Sequence, residues 1–133
     1  MTSEYCLPIR VYVEDTDAGG IVYYANYLKY LERARTELMR SLGYDKPALF
    51  EGMQFVVCSV ELKYRQPAVL DDQIVATAKL VAVSRTSFTI AQKVLRGEQV
   101  LVEGVVKAAC INHQTKRPTA IPAEMLQTLQ AAI

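Results

Sequence analysis

Residues 14–43 read EDTDAGGIVYYANYLKYLERARTELMRSLG, and the spacing of apolar residues changes within this segment. Its first seven residues are small, acidic and glycine-containing, a composition typical of a loop. From Tyr24 to Leu42 apolar residues recur at spacings of three and four, which predicts an amphipathic helix that ends before Gly43. The predicted apolar face consists of Tyr24, Tyr27, Leu28, Leu31, Ala34, Leu38 and Leu42.

Period-two alternation of apolar and polar residues predicts strands on both sides of this helix. The short breaks at residues 84–86 and 97–99 favour antiparallel neighbours. One long helix with about five antiparallel strands predicts an α+β domain, in which the apolar face of the sheet covers the helix. The predicted strands are residues 9–13, 55–63, 73–83, 87–96 and 100–112, and a short helix over 122–132 completes the chain.

Composition limits the class of protein. With 133 residues, 51% of them hydrophobic, the chain is predicted to form one globular domain over residues 1–133. A net charge of +1 gives no support to nucleic-acid binding. No segment approaches the roughly 20 apolar residues of a membrane span, and the first ten residues lack a signal-peptide pattern. We therefore expect a cytoplasmic protein.

Cysteine and histidine limit the chemistry. Cys6, Cys58 and Cys110 are too few and too widely spaced for a disulfide framework, and we expect Cys58 and Cys110 to be small core residues. The single histidine, His113, excludes HExxH and multi-histidine metal sites, and no CxxC pair is present. We expect no metal site. Catalysis would therefore rest on carboxylates and backbone groups.

The acidic loop before the helix admits four interpretations. Solvation, with capping of free helix N–H groups, is the favoured one for Glu14 and Asp15. A calcium loop is disfavoured because Asn26 stands where such a loop has glutamate. A phosphate cradle at Gly19 and Gly20 is disfavoured because carboxylates flank it and no lysine follows. In the fourth, a carboxylate acts on a carbonyl carbon while helix-start N–H groups stabilise the oxyanion. Spacing alone does not favour this over capping.

Residues 14–27 and 31–35 resemble the signature of the 4-hydroxybenzoyl-CoA thioesterase family, and they are most similar to the YbgC-like acyl-CoA thioesterases. The pattern Asp-x-x-Gly-[Ile/Val]-Val-Tyr begins at Asp17, and the resemblance extends more loosely through residues 64–68 and 70–72. It implies a hotdog fold, an antiparallel sheet wrapped around the long helix. It also implies a homo-oligomer, commonly a tetramer built from dimers with active sites at the dimer interface. The implied reaction is hydrolysis of acyl-CoA thioesters with neither metal nor organic cofactor.

The resemblance assigns roles residue by residue. The essential aspartate of the family matches Asp17, as nucleophile or general base. The backbone N–H that polarises the substrate carbonyl matches Tyr24. Many YbgC-like members have histidine at that position, whereas the hydroxybenzoyl-CoA branch has tyrosine, so the acyl group stays open. Tyr27 and Tyr30 are expected to pack the helix. The expected substrate-binding residues are Gly19, Gly20, Ile21, Val22 and Tyr23.

Partners and alternatives follow from the same resemblance. Coenzyme A carries phosphates, so a rim of basic residues is expected. Some YbgC-like members are associated with the Tol–Pal system, which implies peripheral association with envelope or lipid-metabolism proteins. One alternative is a non-catalytic acyl-CoA binder or envelope adaptor. A hotdog dehydratase is less favoured, because its histidine would have to be His113. The basic candidates are Lys63, Arg65, Arg85, Lys116 and Arg117.

Overall fold

The computed structural model describes residues 4–44, 49–50 and 52–133. Six strands form one antiparallel sheet in the order β1-β4-β5-β6-β3-β2. The elements are β1 (Glu4–Arg10), a 3-10 turn (Val13–Asp15), α1 (Asn26–Ser41), β2 (Leu49–Phe50), β3 (Met53–Tyr64), β4 (Gln73–Val83), β5 (Ser87–Arg96), β6 (Gln99–Asn112) and α2 (Ala123–Ala131).

The predicted α+β architecture is confirmed, with differences at the N-terminal half. β4 and β5 begin and end where the sequence predicts. The first strand is Glu4–Arg10 rather than residues 9–13, because its partner β4 begins at Gln73 and the chain then turns at Val13–Asp15. The two-residue strand β2 adds a sixth strand to the five predicted. The period-two pattern cannot reveal so short a strand.

Helix α1 packs on β1, β4 and β5 through a stripe of residues spaced by three and four. Tyr27, Leu31, Ala34 and Leu38 are buried as predicted. The prediction is wrong at Tyr24 and Leu28, which are 64% and 43% exposed. Tyr24 precedes the helix, and Leu28 lies one residue off the stripe. The same stripe also buries Tyr30 and Met39, and Gly43 ends the helix with φ +102°.

A buried glutamine fastens α1 to the sheet. Gln92 on β5 is 1% exposed, and its amide nitrogen donates to the carbonyls of Leu31 (2.9 Å) and Thr77 (3.0 Å). Its amide oxygen accepts from Nη1 of Arg35 at 3.0 Å. Because burial of an unpaired amide is costly, these three bonds fix the position of the helix on the sheet.

Both edges of the sheet are open among the described residues, one along β1, which pairs only with β4, and the other along most of β3. β3 pairs with β6 along its length but with β2 only at Met53 and Gln54, so residues 55–64 have no strand on their other edge among the described residues. Val57 and Val60 are exposed on this strand.

Cys58 also lies on β3 and is exposed, so its prediction as a core residue is wrong, whereas Cys110 is buried as expected. No helix within the described ranges is long and apolar enough to cross a membrane.

Candidate active site

The acidic loop folds into a small hairpin between β1 and α1. Thr16 pairs with Val22 in an antiparallel bridge, and the Asp17 N–H donates to the Ile21 carbonyl at 2.9 Å. The Gly20 N–H donates to the Asp17 carbonyl at 3.0 Å, which closes the turn. Gly20 has φ +79°, a left-handed conformation that glycine adopts without steric cost. The sequence D-A-G-G therefore places Asp17 at the base of an exposed turn.

Asp17 is exposed, and one of its carboxylate oxygens accepts the Gly19 N–H at 2.8 Å. A side chain at residue 19 would bring its Cβ to 3.2 Å from that oxygen, so glycine permits the close approach. The contact orients the carboxylate and leaves its second oxygen without a hydrogen bond among the described residues. Asp17 is thus an oriented, accessible carboxylate, which suits a nucleophile or a base.

The start of α1 presents two consecutive backbone donors. The N–H groups of Tyr24 and Ala25 have no acceptor in the described part of the chain. The carbonyls of the same two peptide units are both bonded: the Tyr23 carbonyl accepts the Asn26 N–H at 2.8 Å, and the Tyr24 carbonyl accepts the Tyr64 hydroxyl at 3.0 Å. Free N–H groups at a helix start carry partial positive charge and can stabilise an oxyanion.

A groove of about 280 Å³ opens beside this helix start. The Tyr24 and Tyr64 rings meet edge to face with centroids 6.3 Å apart, and the Tyr27 and Tyr64 rings lie 5.6 Å apart. Its walls are mainly apolar and aromatic, which suits an acyl group. The lining residues are Ile21, Val22, Tyr24, Tyr27, Tyr64, Arg65, Gln66 and Pro67.

The segment between β3 and β4 supplies one side of the groove and holds the loop. The Val22 N–H donates to the Ala68 carbonyl at 2.9 Å, and the Ala68 N–H donates to the Tyr27 hydroxyl at 3.0 Å. Ile21 pairs with Val69 in a further antiparallel bridge. Sequence reasoning missed Tyr64, Gln66 and Pro67 as groove residues, although they lie in the Tyr64–Ala68 stretch that carries the looser resemblance.

An ion pair supports this segment. Arg96 Nη1 lies 2.6 Å from a carboxylate oxygen of Asp72 and also donates to the Pro67 carbonyl at 3.3 Å. The same Asp72 oxygen accepts the Val69 N–H at 2.9 Å. Partial burial alone would raise the pKa of the Asp72 carboxyl, but the bonds from Val69 and Arg96 outweigh it and lower that pKa.

Asp15 differs from its predicted role. The N-cap of α1 is Ala25 and has no side-chain cap, so Asp15 caps none of the free N–H groups of α1. Its carboxylate instead accepts the Tyr12 N–H at 2.9 Å and the Asn26 side-chain amide at 3.0 Å. Burial alone would raise the pKa of Asp15, but these bonds lower it overall. Asp15 therefore ties the loop entrance to the first residue of α1, whereas Glu14 is exposed as expected.

The predicted site residues are only partly brought together. Ile21, Val22 and Tyr24 line the groove, Asp17 and Gly19 meet in the turn, and Tyr23 contacts Tyr24 with ring centroids 5.0 Å apart without lining the groove. A larger depression of about 980 Å³ crosses the sheet from Glu4 to Glu61 and contains none of these residues.

His113 lies at the other end of the sheet from the groove. Leu101, near the start of β6, accepts the Arg65 and Gln66 N–H groups, whereas His113 follows the last residue of that strand, Asn112. Eleven residues of strand separate Leu101 and Asn112 by about 35 Å. Within one chain His113 therefore lies far from the groove.

Two of the basic candidates lie near the groove and three lie far from it. Arg65 lines the groove and pairs with Glu103 at 2.9 Å, and Lys63 is close to it in β3. Arg85 lies in the β4–β5 turn at the other end of the sheet, where its carbonyl accepts the Ile121 N–H. Asn112 binds the carbonyl of Arg117 at that same end. Arg85, Lys116 and Arg117 therefore share one corner of the molecule.

Comparison with known proteins gives a consistent result. A family model described as the thioesterase-like superfamily matches residues 11–129. The acyl-CoA thioesterase YbgC of Haemophilus influenzae is 38% identical over 91% of this chain and 90% of its own length. The acyl-CoA thioester hydrolase YbgC of Escherichia coli is 37% identical over 91% of this chain and 92% of its own length.

Solved structures agree with the sequence matches. A probable thioesterase from Bartonella henselae superposes with a TM-score of 0.84 at 33% identity, covering 90% of this chain and 100% of that protein. The hypothetical protein TT1821 of Thermus thermophilus superposes with a TM-score of 0.90 at 25% identity, covering 97% and 99%. Both the predicted fold and the predicted family are confirmed by these likenesses.

Proposed function

The chain belongs to the thioesterase-like superfamily, and on that premise we propose how it hydrolyses acyl-CoA thioesters to a free acid and CoA. Asp17 supplies the carboxylate and the start of α1 supplies the oxyanion donors. The observation that carries this proposal is an oriented, exposed carboxylate on the same short, hydrogen-bonded loop as the acceptor-free N–H groups of Tyr24 and Ala25.

Two routes use the same atoms. In one, the Asp17 carboxylate attacks the thioester carbonyl, CoA thiolate leaves, and water hydrolyses the acyl-aspartyl anhydride. In the other, Asp17 accepts a proton from a water molecule whose oxygen attacks that carbonyl. Both place negative charge on the carbonyl oxygen, where the Tyr24 N–H can donate to it. Because a thiolate is a good leaving group, neither route requires a strong general acid.

Release of CoA from a panel of short, long and aromatic acyl-CoAs tests this proposal. Mass spectrometry is the appropriate readout, because exposed Cys6 and Cys58 would react with thiol dyes. We expect wild type to turn over part of the panel and Asp17→Asn to lose about a thousandfold in rate. Glu14→Gln is the matched control in the same loop and should retain the rate. Turnover that survives Asp17→Asn would contradict the assignment.

We also propose that two copies pair through β3, and that such dimers assemble further into a tetramer. A ten-residue free edge with exposed Val57 and Val60 is an apolar template for another strand. A two-fold axis makes the pairing of this edge with itself antiparallel. Val57→Lys with Val60→Lys should give monomers by sedimentation, whereas Val81→Lys, an exposed valine on β4, serves as the control. An unchanged oligomer in the β3 variant would refute the pairing.

Antiparallel pairing suggests which basic residues bind CoA. It would bring the far end of the partner's β3, with the corner that holds Arg85, Lys116 and Arg117, towards the groove of the first copy. We propose that this corner binds the CoA phosphates. Arg85→Glu should then raise KM for acyl-CoA and leave turnover of the matching acyl-pantetheine, which lacks the nucleotide, unchanged. Equal effects on both substrates would argue against phosphate binding.

The remaining proposal concerns location. Three free cysteines are consistent with a reducing compartment, and we propose the cytoplasm, with peripheral attachment to envelope or lipid-metabolism proteins. Fractionation of cells before and after a salt wash tests it. Protein in the cytosolic fraction, or released by the wash, supports the proposal, whereas protein retained in the membrane fraction contradicts it.

A further inference from the structure

Tyr64 is the one side chain outside the loop that bonds to the backbone at the helix start in the described structure. It is the last residue of β3, and its hydroxyl donates to the Tyr24 carbonyl at 3.0 Å. Its ring contacts Tyr24 and Tyr27 at centroid distances of 6.3 and 5.6 Å. The hydroxyl and the ring therefore make separable contributions, one to the backbone and one to the aromatic cluster.

The bonded carbonyl belongs to the peptide unit between Tyr24 and Ala25. The N–H of this unit, on Ala25, has no acceptor among the described residues, and neither does the preceding N–H, on Tyr24. A donor on a peptide carbonyl polarises the N–H of the same unit and makes it a stronger donor. In the preceding Tyr23–Tyr24 unit, the Asn26 N–H donates to the Tyr23 carbonyl in the same way. The free N–H groups of Tyr24 and Ala25 therefore both belong to peptide units whose carbonyls accept a hydrogen bond.

The hydroxyl also fixes orientation. Helix α1 begins only at Asn26, and its N-cap, Ala25, has no side-chain cap. The Tyr24–Ala25 peptide thus lies outside the regular helix, and the Tyr64 hydroxyl is the partner that holds its carbonyl. Oxyanion donors work by being oriented before the charge develops, and misplacement of a donor weakens them.

We propose that Tyr64 is a positioning residue whose hydroxyl orients and polarises the Tyr24–Ala25 peptide, so that its N–H, on Ala25, is aligned for the oxyanion beside the Tyr24 N–H. This inference rests on the proposed function. It extends the site from the loop to the last residue of β3, one of the two strands with a free edge. The sequence offers no signal for it, because Tyr64 lies 40 residues from Tyr24.

Tyr64→Phe removes the hydroxyl and retains the ring, so a packing role alone predicts no change. We expect kcat, measured on the best substrate of the panel, to fall about tenfold, less than for loss of a direct oxyanion donor, with KM within about twofold. Tyr5→Phe is the control, because the Tyr5 hydroxyl, on β1, makes no hydrogen bond within the described residues. A kcat of Tyr64→Phe within twofold of wild type would overturn the proposal.

Amide NMR separates this inference from the proposed function. Loss of the bond to the Tyr24 carbonyl should move the Ala25 amide nitrogen upfield in Tyr64→Phe and leave it in place in Tyr5→Phe. This readout needs no substrate, and it also reports whether the variant is folded. If the Ala25 amide nitrogen resonance does not move in folded Tyr64→Phe, the proposed effect of the Tyr64 hydroxyl on the Tyr24–Ala25 peptide is refuted. Absence of turnover by wild type on every thioester would refute the hydrolytic function instead.

Discussion

Replacement of Gln92 by leucine removes the polar connection between α1 and the sheet while keeping the side chain's volume. The wild-type amide makes two bonds to carbonyls, of Leu31 and Thr77, and accepts one from the Arg35 guanidinium. Each neutral bond contributes about 1 kcal/mol, and the charged one contributes somewhat more because Arg35 would be left without this partner in a partly buried site. We expect the free energy of unfolding to fall by about 3 kcal/mol.

The assay is urea unfolding followed by circular dichroism at a fixed protomer concentration, which keeps any oligomer contribution constant. In a parallel thermal unfolding experiment, each kcal/mol lost from the free energy of unfolding of a 133-residue chain lowers Tm by about 3.5 °C. The Tm of Gln92→Leu should therefore fall by about 10 °C. The matched control is Gln99→Leu. Gln99 also accepts from an arginine, Arg96 at 2.8 Å, but it is exposed, and its loss should cost under about 0.5 kcal/mol. Equal losses of stability in the two variants would show that the buried amide bonds of Gln92 do not hold α1 on the sheet.

Three further predictions concern residues outside the catalytic loop. Gly104→Ala should lower the free energy of unfolding, measured in a urea titration, by at least about 2 kcal/mol. The added Cβ would lie 1.9 Å from the Glu61 carbonyl oxygen, so β6 would have to move away from β3. A loss below about 0.5 kcal/mol would contradict this prediction. The pKa of Asp72 is lowered from its ordinary value of 3.8, so its stabilisation is complete above that value and declines as pH falls. Asp72→Asn should therefore lower Tm by more at pH 7 than at acidic pH below 3.8, and a loss that does not shrink as pH falls would contradict the ion pair. Cys110 is buried, and burial raises the pKa of its thiol, so mass spectrometry should find it unmodified by iodoacetamide in native protein while Cys6 reacts; native alkylation of Cys110 would contradict its burial.

The sequence predicted most of the fold because its apolar periods are long. β4 and β5 alternate over ten or more residues, and their ends are marked by short polar or glycine-containing turns. The prediction for Leu28 is wrong because the buried face of a helix is only about 100° wide. A leucine just outside that face has nearly the same spacing as the buried residues, so the sequence pattern does not separate it from them. The prediction for Cys58 is wrong because a register shift between Val57 and Ser59 interrupts the alternation of β3 at this residue, and the pattern within one strand does not reveal such a bulge.

The candidate site residues that lie close together in sequence come from the family resemblance. The D-A-G-G turn and the helix start lie within ten residues of each other, but spacing alone does not favour catalysis over capping, and only the resemblance assigns roles to Asp17 and the Tyr24 N–H. Tyr64, Gln66 and Pro67 reach the groove through pairing of distant segments, for example Val22 with Ala68. Asp15 was read as a helix cap, because an acidic residue before a helix usually is one. In the structure its partner is the Asn26 side chain, a contact that spacing alone does not specify.

The most direct test of the account is a single-turnover measurement of CoA release, with enzyme in excess over the best acyl-CoA of the panel. This condition isolates the chemical step from steady-state binding and product release. Wild type, Asp17→Asn and Glu14→Gln are compared side by side. We expect Asp17→Asn to lose about a thousandfold in the rate constant, while Glu14→Gln stays within about twofold of wild type. A comparable rate constant in Asp17→Asn would contradict this expectation and place the reacting carboxylate elsewhere.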